Sequence, residues 1–319
     1  MKIFVLYDKS GIHSGRTLGS KLASSLWRKA TVHKGRPRRL ELLLKRGNRY
    51  DYIVNVGWYK DFRTGGATVL NAPRAIAHSS NKKQARSKFK ADGIPAPELW
   101  ANPRSLKARD LPVIARTTHH AKGRGLWHCR TLADVSRAAR QGATHFLKLI
   151  PNTREFRVHV MAPTPKVKGL DVEDYRVIKL SEKVPNPKAS SNGVVKNHDN
   201  GWVFSYPKDR RDPVLPKLRE AAKKAIATFD LHWGAVDVMI SKDTGEPFVL
   251  EINSSPCLTD NQSNTLDKYV EALCQMVALK EMPPAKKKKV ITKGYAPVKR
   301  AVKKKTSPKL SSFLRRSAL

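Results

Sequence analysis

Two apolar runs near the C-terminal end, LHWGAVDVMI (231–240) and EPFVLEINSSP (246–256), are separated only by SKDTG. Apolar segments joined by so short a glycine-bearing turn read as a buried antiparallel hairpin, around which the rest of the chain must be arranged. A register symmetric about Thr244 sets Val238 opposite Leu250, Val236 opposite Ile252 and Ile240 opposite Phe248, so six apolar side chains share one face. The same register sets Asp237 opposite Glu251, with Asn253 two residues further along. Directly opposed residues have Cβ atoms about 4.5–5.5 Å apart. Carboxylates that close repel, and one takes up a proton unless a cation lies between them. An oxygen-only donor set suits a hard cation, Mg²⁺ first, and an incomplete set leaves positions for phosphate oxygens and water. The wet outer face of an amphipathic hairpin accounts for the same residues as well. Scarcity of acids tilts the balance: the chain has 26 Asp and Glu against 63 Lys and Arg, yet two acids converge here.

The remaining pattern is α/β (α+β). KIFVLYD (2–8), a helix from about residue 12, YDYIVNVGW (50–58) and ATVLNAP (67–73) read as a small α/β unit with parallel strands, residues 1–78. Residues 79–145 hold one long helix after Ser79 and Asn81 that stops at Gly93, a strand at 111–117, a basic glycine-bearing loop at 118–129, and a helix at 131–142. Residues 146–282 begin at the strand THFLKLIP (144–151). REFRVHVM (154–161) then alternates strictly, with Phe156, Val158 and Val160 on one side and Glu155, Arg157 and His159 on the other. Strands at 174–184 and 201–207, a helix at 214–230, the hairpin and a helix at 265–279 follow.

These segments, in this order, resemble the ATP-grasp superfamily of carboxylate–amine ligases. GAVDVMI…PFVLEINSSP resembles its metal-binding end, SSNKKQARSKFKADGIPAP its opening helix and turn, and LPVIART…HHAKGRGLW its strand and phosphate-covering loop. FLKLIP resembles the strand lining the adenine pocket. REFRVHVM resembles the arginine-bearing strand of the branch that includes ribosomal-protein glutamate ligases, of bacterial or bacteriophage type. The resemblance covers about residues 75–280 and implies a specific architecture: a small pre-ATP-grasp domain, then two subdomains with antiparallel sheets clasping ATP. It implies that Asp237, Glu251 and Asn253 hold Mg²⁺, with Mn²⁺ an alternative. Arg116, Lys122, Gly123, Arg124, Gly125, Lys148 and Lys196 are implied to hold the nucleotide, and Arg157, Arg176 and Lys179, with Asn197 nearby, to serve the chemistry. Two positions depart from the pattern. Arg116 stands where many members have lysine, and a guanidinium binds phosphate with a different geometry. Cys257 stands where many have glycine, and reads as a small buried thiol. The implied reaction activates a carboxylate with ATP as an acyl-phosphate and joins it to an amine.

Charge keeps a second function open. The net charge is +37, and residues 283–319 carry thirteen Lys and Arg and no acid. A segment so basic and low in complexity is expected to be disordered without a partner, and nucleic acid is the partner its charge fits best. The alternative to a ligase is therefore a degenerate ATP-grasp protein serving as a nucleic-acid or nucleoprotein binding module. A third, weaker reading is a kinase of small molecules. Three cysteines without CxxC spacing fit a reducing compartment and argue against a disulfide framework. No run is long enough to cross a membrane, so a cytoplasmic location is expected.

Overall fold

A computed structural model describes residues 1–9, 11–117, 125–186, 201–209, 211–258 and 264–277. Its described secondary structure falls within one compact unit, Met1–Met282. The first sheet is parallel: β1 (Lys2–Tyr7), β2 (Thr31–Gly35), β3 (Tyr52–Val56) and β4 (Thr68–Leu70), in the order β2-β1-β3-β4. Helices α1 (Ile12–Ser25) and α2 (Pro37–Lys45) are the crossovers that parallel neighbours require. Phe4 and Leu6 pack with Leu40 and Leu44 of α2, whereas Ile3 and Val5 join Leu18 and Leu22 of α1 in the main core. β2 and α2 are elements that the sequence pattern left unassigned, because TVHKG and PRRLELLLK carry so much charge.

The helix expected after Ser79 and Asn81 is α4 (Lys82–Ala91), and it is preceded by α3 (Pro73–Ser80), which the sequence pattern left unassigned. Asn81 separates them with an extended backbone, and its side-chain oxygen accepts from the amides of Lys83 and Gln84. A second, antiparallel sheet has the order β5-β8-β6-β7, from β5 (Leu99–Trp100), β6 (Val113–Arg116), β7 (Leu126–Cys129) and β8 (His145–Lys148). Helix α5 (Leu132–Arg140) closes its core with Val135 and Ala138, and begins in a capping box between Thr131 and Asp134.

The third sheet, also antiparallel, runs β11-β10-β9-β12-β13. Its strands are β9 (Asn152–Met161), β10 (Arg176–Pro185), β11 (Trp202–Ser205), β12 (Trp233–Ser241) and β13 (Pro247–Asn253). Helices α6 (Val214–Ala227) and α7 (Thr265–Met276) pack on the core with it. The alternation in β9 holds: Phe156, Val158 and Val160 are fully buried in that core.

The expected hairpin register holds at Val236 and Asp237 and fails toward the turn. Asp237 pairs with Glu251 and Val236 with Ile252, but Val238 pairs with Val249 and Ile240 with Pro247. A β-bulge between Asp237 and Val238 places one extra residue, Leu250, in β13. Leu250 thereby leaves the apolar face assigned to it and lines the opposite side with Glu251.

Candidate active site

Side chains of the second and third sheets line one cleft of about 550 Å³. Ile114, Leu147, Leu149 and Ile150 form apolar wall on one side, and Met239, Leu250, Trp202 and Phe204 on the other. Six cations share this space, Lys82, Arg86, Arg116, Lys148, Arg157 and Lys183, with three carboxylates, Glu155, Asp237 and Glu251.

Strand alternation assembles the charged group. Asp237 on β12 lies between Arg157 on β9 and Glu251 on β13. Arg157 donates from Nε to Asp237 Oδ1 at 2.7 Å and from Nη2 to Oδ2 at 2.9 Å, a two-point fork. Lys183 on β10 reaches Asp237 Oδ2 and Glu155 Oε2, each at 3.3 Å. Burial disfavours the charged form of Asp237, but Arg157 and Lys183 outweigh it and hold the carboxyl below its ordinary range. Burial likewise opposes the charges of Arg157 and Lys183, yet their carboxylate partners raise both above their usual values. Arg157 also lies over the Phe204 ring, 4.7 Å from its centroid.

Glu251 pairs with Lys82 at 3.6 Å and accepts from Asn253 Nδ2 at 3.4 Å. Lys82 and Arg116 both have lowered pKa values because burial, opposed by Glu251, dominates. Lys148 Nζ donates to the carbonyls of Asp110 at 2.8 Å and Leu111 at 3.2 Å. Gly125 closes the β6–β7 hairpin with φ +62°, and a Cβ there would come within 2.7 Å of Thr117 Oγ1, so this position requires glycine.

The structure thus brings Arg116, Lys148, Arg157, Asp237 and Glu251 to one cleft, with Asn253 beside Glu251. Lys179 and Arg176 stand apart from its lining. Lys179 is buried toward α7, where its ammonium donates to Thr265 Oγ1 at 2.5 Å and lies over the Tyr206 ring. Arg176 is exposed at the start of β10, paired with Met161. Lys122, Gly123, Arg124, Lys196 and Asn197 lie outside the described residues, as does the segment 283–319. Cys257 is exposed, correcting its reading as a buried thiol, because Ser14 holds the adjoining Pro256 carbonyl and Leu258 amide instead.

Four charged cleft residues escaped the sequence reading: Lys82, Arg86, Glu155 and Lys183. Glu155 and Lys183 carried a signal, since Glu155 lies two residues from Arg157 and Lys183 four from Lys179, both even spacings along a strand. Lys82 and Arg86 are four apart on α4, but three further cations in KKQARSKFK hide that spacing.

Two carboxylates and an amide on adjacent strands fit a hard divalent cation by donor chemistry. Among the described residues no group of three or more His, Cys, Asp and Glu is placed to hold a metal ion, so a cation here would have to draw on the amide and on ligand oxygens as well.

No protein-family model matches the chain. It is similar, at 26% identity over 157 residues, to a D-alanine–D-alanine ligase of Polynucleobacter asymbioticus. That match covers 49% of this chain and 45% of the other protein, so the chain spans about half the length of the curated relative it matches. Among solved structures, the D-alanine–D-alanine ligase of Bacillus anthracis complexed with ATP aligns over 87% of this chain and 95% of its own. Its TM-score is 0.62 at 13% identity. The ATP-grasp ligase PsnB complexed with minimal precursor aligns over 86% and 99%, with a TM-score of 0.59 at 15% identity.

Proposed function

We propose that this chain, which has the ATP-grasp fold, is an ATP- and Mg²⁺-dependent ligase that joins a carboxylate to an amine, of amino-acid or peptide type. The observation that carries the reading is the cleft of about 550 Å³: apolar walls beside six cations set against three carboxylates. Such a surplus of positive charge in a partly dry site matches a triphosphate, whose transfer needs positioning and charge neutralisation more than covalent help.

In this reading Arg157, Lys183, Lys82 and Arg116 face the phosphates, and Lys148 lies on the base side. Asp237, Glu251 and Asn253 would hold Mg²⁺, or Mn²⁺ in its place, which would supply Lewis-acid neutralisation of the phosphate charge. A donor carboxylate oxygen attacks the γ-phosphorus while the bond to ADP breaks. The acceptor nitrogen then attacks the acyl carbon, inorganic phosphate leaves, and the nitrogen gives up a proton. The positive cleft stabilises the charge that gathers on the transferring phosphoryl group and on the departing phosphate. His159 takes no part in moving that proton, because it is buried against Tyr269, with its Nδ1 3.1 Å from the Tyr269 hydroxyl.

Titration calorimetry with a non-hydrolysable ATP analogue tests the proposal, at moderate salt so that general attraction of anions to a +37 chain is screened. We expect one-to-one binding that strengthens with Mg²⁺, and loss of that dependence in Glu251→Ala/Asn253→Ala. Binding that is absent, or indifferent to metal and substitution, overturns it. ADP release that needs an amine separates a ligase from a small-molecule kinase.

A further inference from the structure

The β-bulge at Leu250 has an unusual partner. In a regular antiparallel strand the N–H and C=O of one residue point to one side, and those of the next residue to the other. β13 is the outer strand of its sheet, and Val249 follows the rule: its amide points outward to the Pro95 carbonyl at 2.8 Å. Its own carbonyl also points outward, to Arg86 Nη1. The Leu250 carbonyl ought to turn inward to β12. Instead it accepts from Arg86 Nη2 at 2.5 Å. One guanidinium can hold two consecutive carbonyls of a strand only where a bulge has broken the alternation. Arg86 therefore binds this backbone shape and no regular strand.

The bulge in turn sets what the next residue does. It lets Leu250 and Glu251 both line the cleft while Val249 and Ile252 remain in the core. Without it, the residue before Glu251 would return to the apolar side and the Asp237–Glu251 pairing would move out of register. Arg86 is buried deeply enough that its pKa falls to about 10, despite the nearby Glu251 charge. A buried cation spent on backbone carbonyls is a costly way to stabilise an edge strand, unless the strand's geometry matters beyond stability.

We infer that Arg86 is a positioning residue: by clamping the bulge at Val249 and Leu250 it fixes where the Glu251 carboxylate stands for the metal. This rests on the ligase reading above. Both terminal nitrogens of Arg86 are engaged with the backbone, so its effect on nucleotide passes through Glu251.

Arg86→Lys keeps the charge but cannot span both carbonyls. Three measurements on the full chain decide the matter. Mn²⁺ affinity, read by electron paramagnetic resonance with the non-hydrolysable ATP analogue present, falls by about 10–100-fold, the range typical when the partner that orients a metal ligand is lost. Analogue affinity without metal changes by less than about threefold. Amide exchange by mass spectrometry rises in 247–253 but not in β1. An equal loss of metal-free analogue binding would mean that Arg86 contacts the phosphates directly, which overturns the inference. Unchanged Mn²⁺ affinity, or unchanged exchange in 247–253, overturns it too, and exchange that rises throughout the chain reduces Arg86 to a structural residue. If the wild-type chain binds no Mn²⁺ with the analogue, the ligase reading itself has failed. The exchange arm needs no ligand and still reports whether Arg86 holds the bulge.

Discussion

His159 shows how far a single side chain is remade by its surroundings. It lies on the polar side of an alternating strand, yet it is buried edge-on against Tyr269, with ring centroids 5.6 Å apart. Burial, reinforced by Arg157 and Lys179, pushes its pKa down to about 3 from 6.5. The folded protein therefore holds this histidine neutral where the unfolded chain would protonate it. Its contribution to stability is complete above pH 6.5 and is lost as pH falls from there toward 3, at about 1.4 kcal/mol per pH unit for one such group. Burial also lowers His232, which adds to the slope in the same direction. Urea midpoints should stay level from pH 7.5 to about 6.5 and then fall steadily to pH 4.5, less steeply in His159→Gln. A flat profile in the wild-type protein would contradict this account.

At the level of the element, β9 separates two jobs by period two. Its even side, Phe156, Val158 and Val160, belongs to the core, and its odd side presents Glu155 and Arg157 to the cleft. Phe156→Ala should reduce stability by about 3–5 kcal/mol, as large core truncations do. Arg157→Lys keeps a cation beside Asp237 but loses the two-point fork. It should weaken analogue binding by roughly tenfold or more, since bonds to charged groups contribute about 1.5–3 kcal/mol. Urea denaturation and calorimetry on the two variants distinguish these effects. An Arg157→Lys protein that binds the analogue as the wild type does would remove Arg157 from the nucleotide site.

On the scale of the whole molecule, Asn71 joins the first sheet to the third. It sits just after β4 with φ +62° and is fully buried. Its side-chain oxygen accepts from the amides of His232 at 2.7 Å and Trp233 at 3.2 Å, and its Nδ2 donates to the Trp233 carbonyl at 3.1 Å. His232 Nδ1 accepts from the Asn71 amide, and its Nε2 donates to the Pro165 carbonyl at 2.8 Å, which fixes the neutral tautomer. Asn71→Ala leaves two buried amides and a carbonyl without partners and places alanine in the left-handed region. We expect a loss of about 2–4 kcal/mol by urea denaturation. Asn71→Gly relieves the backbone but not the hydrogen bonds, so it should fall between alanine and the wild type. Equal losses would mean that the backbone contributes nothing.

Most strands and helices of the second and third sheets were legible because their periodicity is strong: REFRVHVM and GAVDVMI can bury only one face. The Asp237–Glu251 pairing was legible for the same reason, since a short turn limits the register of a hairpin. Residues 31–45 were not, because a short strand and a helix rich in arginine carry little apolar pattern, and their folding rests on neighbours such as Phe4 and Ile53. What the sequence determined by itself is the alternation of faces and the order of elements, both properties of neighbouring residues. What only the tertiary structure decided is which charges meet. Lys183 reaches Asp237 because β10 and β12 flank β9, and Arg86 meets Leu250 because α4 lies against an edge strand broken by a bulge. Those contacts join residues 54 and 164 positions apart, and no local pattern encodes a separation of that size.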